Sequence, residues 1–156
     1  MKKADYEKQL QRLVDIQEIK DLHREYVYWV NNCEWDKVID CFTEECVVNI
    51  GRWGVRKGKS SLQKLFKEDI GHNNQGKGRD GHFAIMPVIH VDGDKAKGHW
   101  LMYIMISDPE TGKALRFAHG RHDVEYEKVN GNWKISDIVW TNPWPVEASK
   151  SAQGKA

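Results

Sequence analysis

HFAIMPVIHVDGDKAKGHWLMYIMIS, residues 82–107, decides the architecture of this chain. Two long runs rich in Val, Ile, Tyr, Phe and Trp flank Asp92-Gly93, a dipeptide suited to the positive φ values of a tight hairpin. The stretch therefore predicts two antiparallel strands, 82–91 and 95–107. Pro87 offers no N–H to a ladder and should mark an edge or a bulge in the first of them. Alternation along the second separates Trp100, Met102 and Ile104 from His99, Leu101, Tyr103 and Met105, and both sets are mostly apolar. A sheet with two apolar faces is covered on both, by its own helices or by another subunit, so a homo-oligomer is expected.

Working outward, Asn130-Gly131 joins two further runs, 115–128 and 132–140, and residues 108–112 make a longer turn, giving a mainly antiparallel meander. Upstream the pattern is helical. Apolar residues from Tyr6 to Val30 recur every three or four positions, predicting one long amphipathic helix over 6–31. A second, short helix begins near Glu34. Residues 47–53 read as a strand, and Ser60-Ser61 can cap a third helix carrying Leu62, Leu65 and Phe66. The Gly- and Asn-bearing segment 71–81 reads as a mobile loop, and the tail 147–156 as disordered. Helices first and a meander after them imply a single α+β domain over 1–146. In it the N-terminal helices sit inside a curved, mainly antiparallel sheet, as a cone-shaped α+β barrel.

Size and charge narrow the function. A chain of 156 residues with formal charge +1 and interspersed signs has no basic stripe for nucleic acid, and no apolar run reaches membrane-spanning length. The opening MKKAD lacks an apolar leader core, so a soluble cytoplasmic protein is expected. Cys33, Cys41 and Cys46 show no Cys-x-x-Cys spacing and read as buried free thiols. Seven tryptophans suit a deep apolar interior with room for a small-molecule ligand.

His82 and His119 each interrupt an otherwise apolar strand. Two imidazoles projecting into one apolar cavity make an acid/base device, although a core histidine with satisfied hydrogen bonds would look the same. Arg121 and Asp123 share strand parity with His119, and a bulge at Gly120 would break that parity, since Val124 and Tyr126 beyond it look like the buried set. Asp123 is thus either a cavity carboxylate or an Arg-paired surface one. His119-x-x-His122 together with His82 suggests a metal, but residues three apart on a strand point to opposite faces, so no metal site is assigned.

The chain resembles the nuclear transport factor 2-like superfamily, in its SnoaL-like and scytalone dehydratase-like branch. The resemblance is carried by IQEIKDLHREY at 16–26, NNCEWDKVIDCFTEECVV at 31–48, Gly51 with RKGKSSL, GHF at 81–83, AKGHW at 96–100 and YEKVNGNWKI at 126–135. Scytalone dehydratase and the bile-acid 7α-dehydratases offer the closest positions. Their likeness implies catalytic roles for His82 and His119, and Tyr26 stands at the family's helix position. Asn31 stands where those enzymes have an aspartate, Ile50 where one has a tyrosine, Ile104 in place of an aspartate and Asn142 in place of an arginine.

The resemblance implies a cofactor-free lyase or isomerase, dehydratase-like, acting by histidine acid/base chemistry on a small, largely apolar hydroxy-carbonyl or polycyclic substrate. His82 would be the base, His119 the assistant at the leaving group, Tyr26 the oxyanion donor and Asn31 the group orienting His82. Trp53, Trp100, Met102, Ile104, Trp140 and Asp123 are the candidate substrate-binding set, with segment 140–144 closing the mouth. The dehydratase relatives suggest a trimer, a dimer being the alternative. A non-catalytic small-molecule-binding or accessory protein of the same fold is the competing reading.

Overall fold

The computed structural model describes residues 3–71, 80–108 and 110–142. Helix α1 (Lys3–Asn32) opens the chain, followed by α2 (Trp35–Asp40), β1 (Phe42–Asn49), β2 (Val55–Lys57) and α3 (Lys59–Gln63), which runs on as wider π-type turns through Lys64–Ile70. Four long strands complete the domain: β3 (Gly81–Asp92), β4 (Lys95–Ser107), β5 (Ala114–Val129) and β6 (Asn132–Thr141). They form one six-stranded sheet in the order β2-β1-β6-β5-β4-β3. Among the described residues every pairing is antiparallel except β1 with β6. Helices followed by a meander thus give the expected α+β domain. Among the described residues no helix is long and apolar enough to cross a membrane. The expected disordered tail, the closing residues 143–144 and most of the expected mobile loop lie outside the described residues.

Helix α1 buries a stripe spaced by four, Asp15, Ile19, His23 and Val27, with Tyr26 beside it. Two of these are polar. Asp15 is held by Lys128 Nζ (2.5 Å), Trp133 Nε1 (3.1 Å) and Gln11 Nε2 (3.2 Å), which fastens the helix to β5 and β6. Burial works to raise the Asp15 pKa, but these donors outweigh it and leave it lowered. The core closes around Ile19, Val38, Phe42, Leu62, Leu65 and Ile135, each almost inaccessible; each such side chain contributes about 1.5–3 kcal/mol by burial.

Pro87 behaves as its chemistry requires. It lies in β3, an edge strand, where the register with β4 slips between Ile85 and Val88 and Met86 takes φ 49°. Three other local expectations are corrected. The strand expected at 47–53 is Phe42–Asn49; Gly51 and Gly54, at φ 67° and 71°, turn residues 51–53 into a 3₁₀ turn. The third helix is not capped by Ser60-Ser61. Its cap position is Gly58, whose N–H donates to Cys46 O and ties the turn to β1, so the helix starts earlier and Ser61 Oγ bonds back to Lys57 O. Third, no bulge occurs at Gly120: the β4–β5 ladder runs unbroken from Lys95↔Glu127 to Ile106↔Arg116. Of the thiols, Cys41 and Cys46 are buried and free, burial pushing them up to about 12 and about 11, while Cys33 is in no disulfide and only half-buried.

Candidate active site

Strand pairing sorts the sheet into two faces. His82 lies across from Ile104 and Ala84 from Met102; Trp100, His122 and Trp140 form one row across β4, β5 and β6. All of these lie on the inner face, toward α1. The outer face carries Phe83, Tyr103 and His119 in a second row, with Leu101, Arg121 and Thr141 in another.

His82 meets the end of α1. Asn31 Nδ2 donates to His82 O (2.8 Å), while Asn31 Oδ1 accepts from His82 N (2.8 Å) and from His82 Nδ1 (3.2 Å). The backbone N–H and C=O of one residue fix which end of the amide is oxygen. Because an amide oxygen only accepts, the Nδ1 proton is assigned, and Nε2 is left with its lone pair. Burial lowers the His82 pKa against a smaller opposing pull from Asp80, so the ring is neutral at pH 7. Asn31 thus holds both the backbone and the ring of His82.

A second histidine centre lies deeper. His23 stacks on Trp100, ring centroids 4.2 Å apart and 8° from parallel. Trp100 Nε1 donates to Tyr126 Oη (2.9 Å), and Tyr126 Oη lies 3.0 Å from His23 Nδ1. His122 meets His23 edge-on at 5.8 Å. Burial presses the His122 pKa down to about 3, with repulsion from His82 adding to it and Asp123 opposing it. Burial likewise holds His23 well below its ordinary value, helped by His122. His23 Nε2 and His122 Nδ1 are buried without a hydrogen-bond partner, each at a cost of about 1–3 kcal/mol.

Tyr26 is buried beside this pair, its ring 5.6 Å from His23 and 6.4 Å from His122. Burial raises the phenol's pKa, so it remains a protonated donor. Trp100 and Met102 are fully buried, Ile104 and Trp140 half-buried, and all four face inward. Trp53 is half-buried in the 3₁₀ turn, packed against the core. Gly120 makes room for Trp140: a Cβ there would stand 2.1 Å from Trp140 Cζ2.

His119 and Asp123 are not brought to this face. The unbroken ladder keeps them in parity with Arg121 on the outer side, where His119 stacks on Tyr103 at 4.7 Å. Asp123 accepts from Arg121 Nε (2.7 Å) and Nη2 (2.8 Å), Thr141 Oγ1 (2.8 Å) and His99 Nδ1 (2.5 Å). Burial opposes its ionisation, but these bonds prevail and bring its pKa to about 2. It is the Arg-paired carboxylate rather than a cavity one. His119 and His122 lie on opposite faces, so they do not share a ligand. The inward histidines that sequence reasoning missed are His122 and His23. Both carried a signal: His122 has the parity of Val124 and Tyr126, and His23 follows Ile19 by four.

A SnoaL-like domain model matches residues 11–139. Among solved structures, an NTF2-like protein with a cystatin-like fold from Novosphingobium aromaticivorans is 14% identical and covers 96% of each chain, with TM-score 0.78. A Mycobacterium tuberculosis protein of unknown function is 22% identical over 86% of this chain and 80% of its own, TM-score 0.73. Hexachlorocyclohexane dehydrochlorinase LinA-type3 from Novosphingobium barchaimii is 18% identical over 87% and 91%, TM-score 0.74. At these identities the likeness establishes the fold. No curated protein matches in sequence.

Proposed function

Because the chain belongs to the SnoaL-like domain family, we propose that it is a cofactor-free lyase or isomerase acting on a small, largely apolar hydroxy-carbonyl or polycyclic compound. One observation carries the reading: Asn31 holds His82 in the tautomer whose Nε2 keeps its lone pair, on a half-buried and neutral ring. Such a nitrogen removes a proton beside a carbonyl. Tyr26, kept protonated by burial, donates to the developing enolate oxygen. The imidazolium formed at His82 then returns its proton to the departing hydroxyl, so one histidine serves as base and acid in turn. His122 replaces His119 as the second histidine of the site. That a fold neighbour is a dehydrochlorinase supports elimination chemistry on this scaffold.

The test is deuterium uptake at the α-carbon of bicyclic ketones, with dehydration of their β-hydroxy derivatives followed in parallel by NMR. The parent protein should accelerate exchange, and His82→Ala should return it to the buffer rate. Equal exchange by both proteins would refute the assignment of the base. Binding without turnover is the second reading, favoured by Asn31, since an amide does not stabilise an imidazolium as a carboxylate does.

Assembly belongs to the same proposal. Phe83 (51% exposed), Tyr103 (40%) and Phe117 (70%) stand together on the outer sheet face, a continuous apolar patch suited to another copy of this chain in a dimer or trimer. A cytoplasmic setting accords with the free thiols Cys41 and Cys46.

A further inference from the structure

The hydrogen bonds around Tyr126 fix more than a packing arrangement. An indole N–H only donates, so Tyr126 Oη accepts from Trp100 Nε1; among the described residues His23 Nδ1 is the one other group hydrogen-bonded to that oxygen, so it takes the buried phenol's own proton. His23 Nδ1 is therefore the acceptor, and the ring proton of neutral His23 sits on Nε2. That Nε2–H is buried and has no partner. The adjoining ring, 5.8 Å away, is His122, whose Nδ1 is also buried and unpartnered. A fixed donor and a free nitrogen on neighbouring rings await one group able to accept from the first and donate to the second.

We infer that His23 and His122 form a subsite for a single neutral hydroxyl group of the ligand. The hydroxyl oxygen accepts from His23 Nε2–H, and its proton goes to His122 Nδ1. Trp100 and Tyr126 act as positioning residues by holding the His23 tautomer. A carboxylate is a poor occupant, because it brings no proton for His122 and finds no cation: burial keeps both rings neutral at pH 7. An ammonium has no lone pair for His23. The inference rests on the proposed hydroxy-carbonyl chemistry for its substrate class, yet it concerns recognition and stands apart from His82 and proton removal.

The probes are phenol, benzene and benzoate, titrated at pH 7 into full-length protein labelled with 15N-histidine and followed by long-range 1H–15N correlation. The free protein should show His23 as the Nε2–H tautomer. Phenol should shift His23 Nε2 and His122 Nδ1 and bind at least about tenfold more tightly than benzene, the worth of roughly one well-made hydrogen bond; benzoate should bind no better than benzene. His122→Phe, which keeps an aromatic ring, should abolish the preference for phenol. The inference is overturned if phenol leaves both nitrogens unmoved up to its solubility limit, if phenol and benzene bind equally, or if His122→Phe keeps the preference. A free protein whose two nitrogens are already hydrogen-bonded and which shows no preference holds a resident water there, and this also overturns it. Failure of α-proton exchange with the phenol preference intact would remove the lyase reading alone; the converse would remove only this subsite.

Discussion

Acidification from pH 7 to pH 5 should destabilise this protein through its inner histidines, and His122 gives the magnitude. Burial brings its folded pKa to about 3, against 6.5 for the free side chain. A folded pKa below the unfolded one means that the unfolded chain binds a proton that the folded chain refuses. The stabilising contribution is whole above pH 6.5 and is lost as pH falls toward 3. Between pH 7 and pH 5 the loss from this one ring is about 2 kcal/mol. His23 and His82, both lowered by burial, act in the same direction. The ion-paired carboxylates Asp123 and Asp15 are lowered and respond only at more acid pH, while Asp137, raised by burial and by Glu125, works in the opposite sense; it is common to parent and variant, so their difference isolates His122. The assay is urea unfolding of the parent and His122→Phe at both pH values. The parent should lose about 2 kcal/mol more than the variant, and slightly beyond that because His23 is relieved of its neighbour. A variant with the full pH dependence of the parent would refute the argument that burial of His122 sets the slope.

Asn31→Asp should exchange one asset for another. The carboxylate favours the His82 imidazolium, moving the ring's titration midpoint up by about one to three pH units by NMR, but it cannot donate to His82 O. Thermal melts should therefore show a deficit that is widest above the new midpoint and narrows as pH falls through it. Gly120→Ala drives a methyl into Trp140 and should cost about 1–3 kcal/mol by denaturant unfolding, with a change in tryptophan fluorescence. Phe117→Lys sets a charge in the outer apolar patch and should lower the oligomeric state by sedimentation velocity while leaving the far-UV spectrum of the fold intact.

Much of the fold was legible because periodicity reports burial. The helix stripe, Asp92-Gly93, Asn130-Gly131 and Pro87 each state a backbone requirement in their own chemistry. The β1 boundary was less legible, since Val47 to Trp53 reads as extended until Gly51 and Gly54 are seen at positive φ. Within the candidate site, His82 and Asn31 stand out by position, while His119 rested on its strand setting and the family resemblance; the ladder puts it on the outer face and His122, three residues on, on the inner one. Gly120 suggested a bulge; its role is to give way to Trp140, a contact that no local pattern encodes. His23 escaped for a different reason. A search for apolar periodicity passes over a polar residue on the buried stripe, and only the partners from β4 and β5 reveal why it is tolerated there.

The parallel pairing of β1 with β6 bears on how the chain reaches this state. Val47, Val48 and Asn49 pair with Asp137, Ile138 and Val139, so an early strand is completed by the last one. During synthesis β1 has only short β2 beside it until residues 132–141 emerge. The β3–β4–β5 meander, made of neighbours in sequence, can form before then, and closing the long loop between β1 and β6 becomes the slow step. A ribosome paused before Asn132 would thus hold an unpaired, apolar strand edge, the form of this protein most prone to pair with the wrong chain.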